Sequence, residues 1–241
     1  MKKSSTVVLV GHTPGERDDR VADWFARHGY QLDWRVPADG DELPTLDERV
    51  VATVVYGGVY DVHEKSHHQF LRDELSWIET CLKNEVPTLG LCLGGQLMAD
   101  VLGVPTGKHP EARVEYGYYP LQRSDAGEAV FPADFHVLEA HWEGWYELPA
   151  GAVHLARSEH FPQQAFRYGK HAYAFQFHPE ATTAMLERWV ARRNPERSSR
   201  VGSHTPDQQI ADSKRYGERV AGWLESFLSD WLGAESVRRA E

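Results

Sequence analysis

The sequence predicts an α/β protein: a mainly parallel central sheet with helices on both faces, an antiparallel extension of that sheet, and a C-terminal amphipathic helix. Short β-branched runs alternate with helix-periodic segments over the first hundred residues, the pattern of βαβ units. From Arg113 to Phe177 the signal changes to short aromatic or β-branched runs broken by Gly and Pro, which reads as strands and hairpins. A stripe of apolar residues at helical spacing then occupies the last forty residues or so.

Thr6 to Gly11, TVVLVG, is a short apolar run ending in Gly and reads as a buried parallel strand that opens the sheet. Glu16 to His28 carries Val21, Trp24 and Phe25 at helical spacing with Gly29 as a stop, and Tyr30 to Val36 reads as a second strand. Val50 to Tyr56 is another buried strand, and Ser66 to Asn84 a helix with Leu71, Leu75, Ile78 and Leu82 on one face. Pro87 punctuates before a strand at Thr88 to Leu91, and Gly94 to Leu102 is again helical. In the middle, YGYYPLQ, FHVLEAHW, AVHLARS, QAFRY and HAYAFQF are the strand candidates. A helix follows over about Thr182 to Arg193. The stretch NPERSSRVGSHTPD, residues 194–206 and the start of the next element, reads as a polar linker loop. From Asp207 to Leu232 a long helix places Val220, Trp223, Leu224, Phe227, Leu228 and Trp231 on one face, expected to pack on the same domain, with a homodimer contact as the alternative. The expected organisation is therefore one domain over 1–193, the linker, and a helix over 207–241.

The 241 residues are enough for a sizeable core. With 41% hydrophobic and 26% charged residues, the composition excludes disordered, collagen-like and disulfide-scaffold classes. The formal charge of -10 disfavours nucleic acid and anionic lipid as partners. Only two cysteines, Cys81 and Cys92, occur, which fits a reducing compartment. The apolar run at Val7 to Val10 is shorter than a signal-peptide core, and no later run could span a bilayer, so a cytoplasmic location and no membrane partner are expected.

Thr88-Leu89-Gly90-Leu91-Cys92-Leu93-Gly94-Gly95-Gln96 runs a strand into a helix through a Gly-flanked cysteine, the mechanics of a nucleophile elbow. A thiol at a helix N-terminus feels the positive end of the dipole, which favours thiolate, and the Leu93 N–H can stabilise an oxyanion. An isolated Gly-x-Cys-x-Gly could equally hold a small buried filler. A second motif changes the balance. Ala174-Phe175-Gln176-Phe177-His178-Pro179-Glu180 ends a strand in His-Pro-Glu, supplying the base that a cysteine nucleophile needs and the carboxylate that orients it. Pro179 stops the strand, so Glu180 can turn back beside the imidazole. Thirteen histidines are present, but His63, His67 and His68 lack the His-Glu-x-x-His pattern and read as a solvated helix start, so no metal site is expected. Gly-x-x-x-x-Gly-Lys and Ser-Gly-Gly-x-Asp-Ser nucleotide loops are absent, and no cofactor is expected.

Together the two motifs resemble the class I, triad-type glutamine amidotransferases. The resemblance covers about Thr6 to Arg193 and is similar in its finer stretches, GGVYD, HWEGWYELPAGA and QAFRYG, to free-standing amidotransferase domains of the GMP-synthase-like group. It implies a flavodoxin-like fold. It also implies Cys92 as nucleophile, His178 as general base and acid, Glu180 as its orienter, and Gln96 as a substrate contact. Gly57-Gly58 stands where the family has a Gly-Gly-Pro turn, with Val59 in place of Pro, so Gly58 is the expected second oxyanion donor. His141-Trp142 resembles the segment that clamps the substrate's α-amino and α-carboxylate groups through backbone atoms, though Glu143 and Trp145 depart from the subgroup's pattern. The activity implied is hydrolysis of the glutamine side-chain amide, with ammonia passed to a separate synthetase. A stand-alone γ-glutamyl hydrolase or peptidase is the alternative from the same chemistry, and a non-catalytic binding module the alternative from a different class.

Overall fold

The computed structural model describes residues 5–13, 17–193 and 199–236, without the side chains of 234–236. The start of the first predicted helix at Glu16 and much of the predicted linker, 194–198, lie outside the described residues.

The parallel part of the sheet is made by β1 (Thr6–Val10), β2 (Gln31–Arg35), β3 (Val50–Val55), β4 (Thr88–Leu91) and β11 (Ala172–Phe175). The antiparallel part comprises β6 (Glu115–Arg123), β7 (Phe135–His141), β9 (Ala152–Arg157) and β10 (Ala165–Tyr168). Among the described residues these nine strands form one sheet in the order β2-β1-β3-β4-β11-β10-β9-β6-β7. Two short strands, β5 (Thr106–Lys108) and β8 (Glu143–Trp145), pair separately. The helices are α1 (Arg20–Arg27), α2 (Gln69–Lys83), α3 (Leu93–Val101), α4 (Thr183–Arg192) and α5 (Pro206–Ser236).

This is the mixed α/β sheet of a flavodoxin-like fold. The last strand of the β-rich middle, β11, joins the two parts of the sheet: it pairs antiparallel with β10 on one side and returns to pair parallel with β4 on the other. That return sets the His-Pro-Glu segment beside the cysteine elbow, because the carboxyl ends of parallel neighbours lie at the same edge, where open α/β sheets bind ligands.

The pleat distributes the apolar side chains between two cores. Val7, Leu9 and Val54 face one core with Trp24 and Phe25 of α1, Leu186 of α4 and the α5 stripe. Val8, Val10 and Val55 face the other with Leu71 and Ile78 of α2 and Leu97 and Met98 of α3. The α5 stripe is consumed inside the chain: Val220, Leu224, Phe227, Leu228 and Trp231 are buried. Its indoles are anchored by Trp231 Nε1 donating to His171 O (2.8 Å) and Trp223 Nε1 to Val130 O (2.6 Å).

Element ends follow local capping. The first helix begins at Arg20, because Asp19 is its N-cap and accepts from Ala22 N (2.9 Å). The second begins at Gln69; residues Val62–Ser66, before it, form a 3₁₀ turn opened by an Asp61–Glu64 capping box. The described end of the predicted linker is held against β6, with Tyr116 N donating to Gly202 O (3.1 Å) and His204 N to Tyr116 O (2.8 Å). Helix α5 starts one residue earlier than the spacing predicts, at Pro206, where proline suits the first turn. Among the described residues no helix is long and apolar enough to cross a membrane.

Candidate active site

Cys92 sits between β4 and α3 at φ 50, ψ -106. Positive φ in a non-glycine residue costs on the order of 1–3 kcal/mol and persists only where the surroundings impose it. Here Cys92 N donates to Phe175 O (2.8 Å) and Gly94 N to Tyr56 O (3.2 Å), pinning the elbow to both neighbouring strands. Gly94 is required by close approach: a Cβ there would lie 2.0 Å from Val55 O. Leu93 is the first residue of α3, so its N–H has no partner within the helix.

His178 follows β11 two residues after Gln176, so strand alternation turns both side chains toward the elbow while Phe175 and Phe177 stack into the opposite core. His178 Nδ1 lies 2.8 Å from Glu180 Oε1, both side chains buried, and the ring also hydrogen-bonds the Cys92 thiol. Burial by itself would favour the neutral imidazole; the charges of Glu180 and Cys92 and the two hydrogen bonds outweigh it and raise the His178 pKa well above its ordinary value. The turn carrying Glu180 is clamped by α1: Arg20 N donates to Glu180 O (2.9 Å), and the Arg20 guanidinium bonds Pro179 O (3.2 Å) and Ala181 O. Asp19, hydrogen-bonded by Tyr56 Oη (3.0 Å), is pushed up to about 6 by burial, against the hydrogen bond from Ala22, with the charge of Glu180 adding to the rise.

Behind the thiol runs a chain of buried amides. Gln176 Nε2 donates to Cys92 Sγ (3.5 Å), while Gln96 Nε2 reaches Gln176 Oε1 (3.2 Å) and Glu143 O (2.9 Å). The same Glu143 carbonyl accepts from His141 Nδ1 (2.8 Å). His141 Nε2 faces Glu115 Oε2 (3.2 Å) and Glu139 Oε2 (3.3 Å). Burial alone would lower the His141 pKa; hydrogen bonds to the two glutamates and their charges instead push it up to about 10. Burial pushes Glu139 up to about 7. Trp142 is half-buried between the ends of β7 and β8.

Thus Cys92, His178 and Glu180 converge, with Gln96 and the His141–Glu143 backbone on one side and the Gly57–Gly58 turn on the other. A Cβ on Gly57 would lie 2.6 Å from His178 Cε1 and 3.3 Å from Cys92 Cβ. His141 enters through its ring, which fixes a carbonyl, as well as through its backbone position. Two groups of metal-type ligands occur among the described residues, Glu115–Glu139–His141 and Asp61–His63–Glu143, each with ligand atoms within 4.8 Å of one another. In the first, both His141 nitrogens are engaged as described; in the second, exposed His63 lies 3.5 Å from buried Glu143.

Sequence reasoning passed over Gln176, Glu115 and Glu139. Gln176 carried a signal, two residues before His178 and hence on its face of the strand; the glutamates lay in runs whose register no local pattern reveals.

An α/β domain with a buried cysteine elbow, paired to a histidine and a carboxylate at the sheet's ligand edge, is an arrangement for covalent attack on a carbonyl. The class-I glutamine amidotransferase family matches residues 24–192, well over half of the chain. The structure superposes on a glutamine amidotransferase from Thermotoga maritima with TM-score 0.84 at 27% identity, covering 95% of this chain and 98% of that one. A Salmonella typhimurium protein named as glutamine amidotransferase-like, YfeJ, is 28% identical over 81% of this chain and 84% of its own length. A glutamine-hydrolysing GMP synthase subunit from Thermococcus kodakarensis is 38% identical over 39% of this chain and 51% of its length. The match to the GMP synthase of Aeropyrum pernix covers only 38% of that longer protein. The chain belongs to the class-I glutamine amidotransferase family and is a hydrolase of the glutamine-amidotransferase type.

Proposed function

We propose that this chain hydrolyses a γ-glutamyl amide, glutamine in the first place, through a Cys92–His178–Glu180 triad. The observation that carries this reading is Cys92 at a strained helix N-terminus, beside a His178 whose Nδ1 is held 2.8 Å from Glu180. The Cys92 thiolate attacks the side-chain carbonyl, and the oxyanion of the tetrahedral intermediate is held by the N–H groups of Leu93 and Gly58. His178 passes its proton to the departing nitrogen as the C–N bond breaks, releasing ammonia and leaving a γ-glutamyl thioester. Water then gives a proton to His178 and attacks the thioester, and glutamate leaves with regeneration of the thiolate. Gln176 and Gln96 hold the sulfur and the Glu143 carbonyl, so the segment 141–143 is pre-organised where the substrate's α-substituents would sit. No cofactor takes part.

The GMP synthase relatives support a separate ammonia-using synthetase as the partner. The test is ammonia release from glutamine by the purified protein, with Cys92→Ala as control and γ-glutamyl amides and peptides alongside. Cys92-dependent release from glutamine is expected. Cleavage of other γ-glutamyl compounds only would replace this reading with a stand-alone hydrolase. Inertness toward all of them, alone and with an ammonia-dependent synthetase, would make it a binding module.

A further inference from the structure

We propose that His12 and Glu74 are positioning residues that lock the Gly57–Gly58 peptide with its N–H directed away from His12 and toward the space beside Cys92. The inference rests on the glutaminase reading above, in which Gly58 supplies an oxyanion donor, and adds the device that aims it.

The pair lies outside both sequence motifs. His12 is two residues past the end of β1, and Gly57 two past the end of β3. These strands pair in parallel, so their carboxyl ends bring His12 alongside the turn. Glu74 reaches in from α2, which packs on the same face of the sheet. Both side chains are fully buried. His12 Nδ1 lies 3.0 Å from Gly57 O, and Nε2 lies 2.9 Å from Glu74 Oε2. A carbonyl and a carboxylate are both acceptors, so the ring satisfies both by carrying a proton on each nitrogen. Burial alone would oppose that charge, yet the Glu74 charge and the hydrogen bonds to Glu74 and Gly57 outweigh it, and the His12 pKa is raised. The bond to Gly57 O is thus charge-assisted.

The aim of the Gly58 N–H follows from peptide geometry. Among the described residues no peptide is cis, and in a trans peptide the C=O and N–H of one unit point in opposite directions. Fixing the Gly57 carbonyl on His12 therefore turns the Gly58 N–H away from it. The two glycines mark the two sides of the turn. A Cβ on Gly58 would lie 2.8 Å from the His12 ring, whereas one on Gly57 would strike His178 at 2.6 Å and approach Cys92 at 3.3 Å. The turn is clamped between the histidine that holds its carbonyl and the Cys92–His178 pair on its other side. Flipping this peptide would aim a carbonyl at the site and leave a buried His12 N–H unpartnered, an expensive arrangement. Glu74 Oε1 is buried without a hydrogen-bond partner, so the carboxylate acts here through Oε2, by its hydrogen bond to His12 Nε2 and its charge.

The test compares two reactions of the same thiol. Amide hydrolysis needs an oxyanion site; alkylation by iodoacetamide displaces iodide at a saturated carbon and does not. In a His12→Phe/Glu74→Leu double variant, which keeps the core filled while removing the donor and its counter-charge, kcat for ammonia release should fall roughly 10²–10³-fold with KM within about threefold. The alkylation rate of Cys92 should stay at the wild-type level. Glu74→Gln, nearly isosteric, should show the same split at about tenfold and guards against a double variant that does not fold. Unchanged kcat in a folded variant overturns the proposal. A parallel fall of kcat and alkylation also overturns it, since the pair is then merely structural. If the wild-type protein shows no Cys92-dependent ammonia release, the glutaminase reading itself has failed, and this inference falls with it.

Discussion

Replacing Glu180 by glutamine removes one negative charge 2.8 Å from His178 Nδ1 and preserves side-chain shape. With charge centres about 4 Å apart and an effective dielectric near 20, that charge stabilises the imidazolium by about 4 kcal/mol. At about 1.36 kcal/mol per decade, the expected loss of kcat approaches roughly 10³-fold. The assay is steady-state ammonia release, with kcat and KM resolved. KM should be nearly unchanged, because Glu180 faces the histidine and not the substrate. Asp19 supplies a second readout independent of turnover. Its carboxyl is held up to about 6 by burial first and by the charge of Glu180 in addition. An acid whose folded pKa is raised contributes stability that is complete below the unfolded pKa and lost as pH rises through the folded one. In Glu180→Gln that loss should therefore move to lower pH, seen in the melting temperature between about pH 4 and 6. A kcat within about fivefold of wild type, with the Asp19 titration unmoved, would refute the electrostatic account of this carboxylate.

Gly94→Ala places a methyl group 2.0 Å from Val55 O; displacement of a backbone carbonyl between β3 and α3 should cost several kcal/mol, read as a depressed urea midpoint or insoluble expression, and a normal midpoint would contradict the packing. The two thiols should separate cleanly under iodoacetamide at neutral pH, because burial pushes Cys81 up to about 12 while Cys92 lies in the site. Equal labelling, followed by peptide mass spectrometry, would remove the case for an activated Cys92. His141, pushed up to about 10, should still carry both ring protons at pH 8 in ¹⁵N spectra. Its pairing with Glu115 and Glu139 contributes stability that is complete below about pH 6.5 and lost as pH rises through about 10. A neutral ring at pH 8 would refute the buried ion-pair cluster.

Much of this molecule was legible in one dimension because its signals are local. Val7 to Val10 alternates between two cores, and a run buried on both faces can be read from hydrophobicity alone. The Gly-flanked Cys92 needs its glycines for backbone clearance, so chemistry and sterics are written in the same few letters. His178 and Glu180 are two residues apart, with Pro179 forcing the turn between them. The α5 stripe likewise declared its buried face by spacing. The Asp19 cap sets the start of α1, and ahead of α2 the Asp61–Glu64 capping box closes Val62–Ser66 into a separate 3₁₀ turn, so that Ser66 belongs to that turn and not to the helix.

What the sequence by itself determined, then, is the set of parts: alternating strands and helices, a cysteine at an elbow, a histidine and glutamate held by a proline turn, and a final amphipathic helix. Only the tertiary structure decided which distant groups meet. The parallel return of β11 beside β4 brings Gln176 and His178 to Cys92 across more than eighty residues. The strand ends of β1 and β3 set His12 on Gly57, and α2 delivers Glu74 to it. The buried Glu115–Glu139–His141 cluster arises from pairing of β6 with β7. The physical reason is common to all three: a hydrogen bond between remote residues depends on strand order and register, which the whole core selects, and no local periodicity encodes that choice.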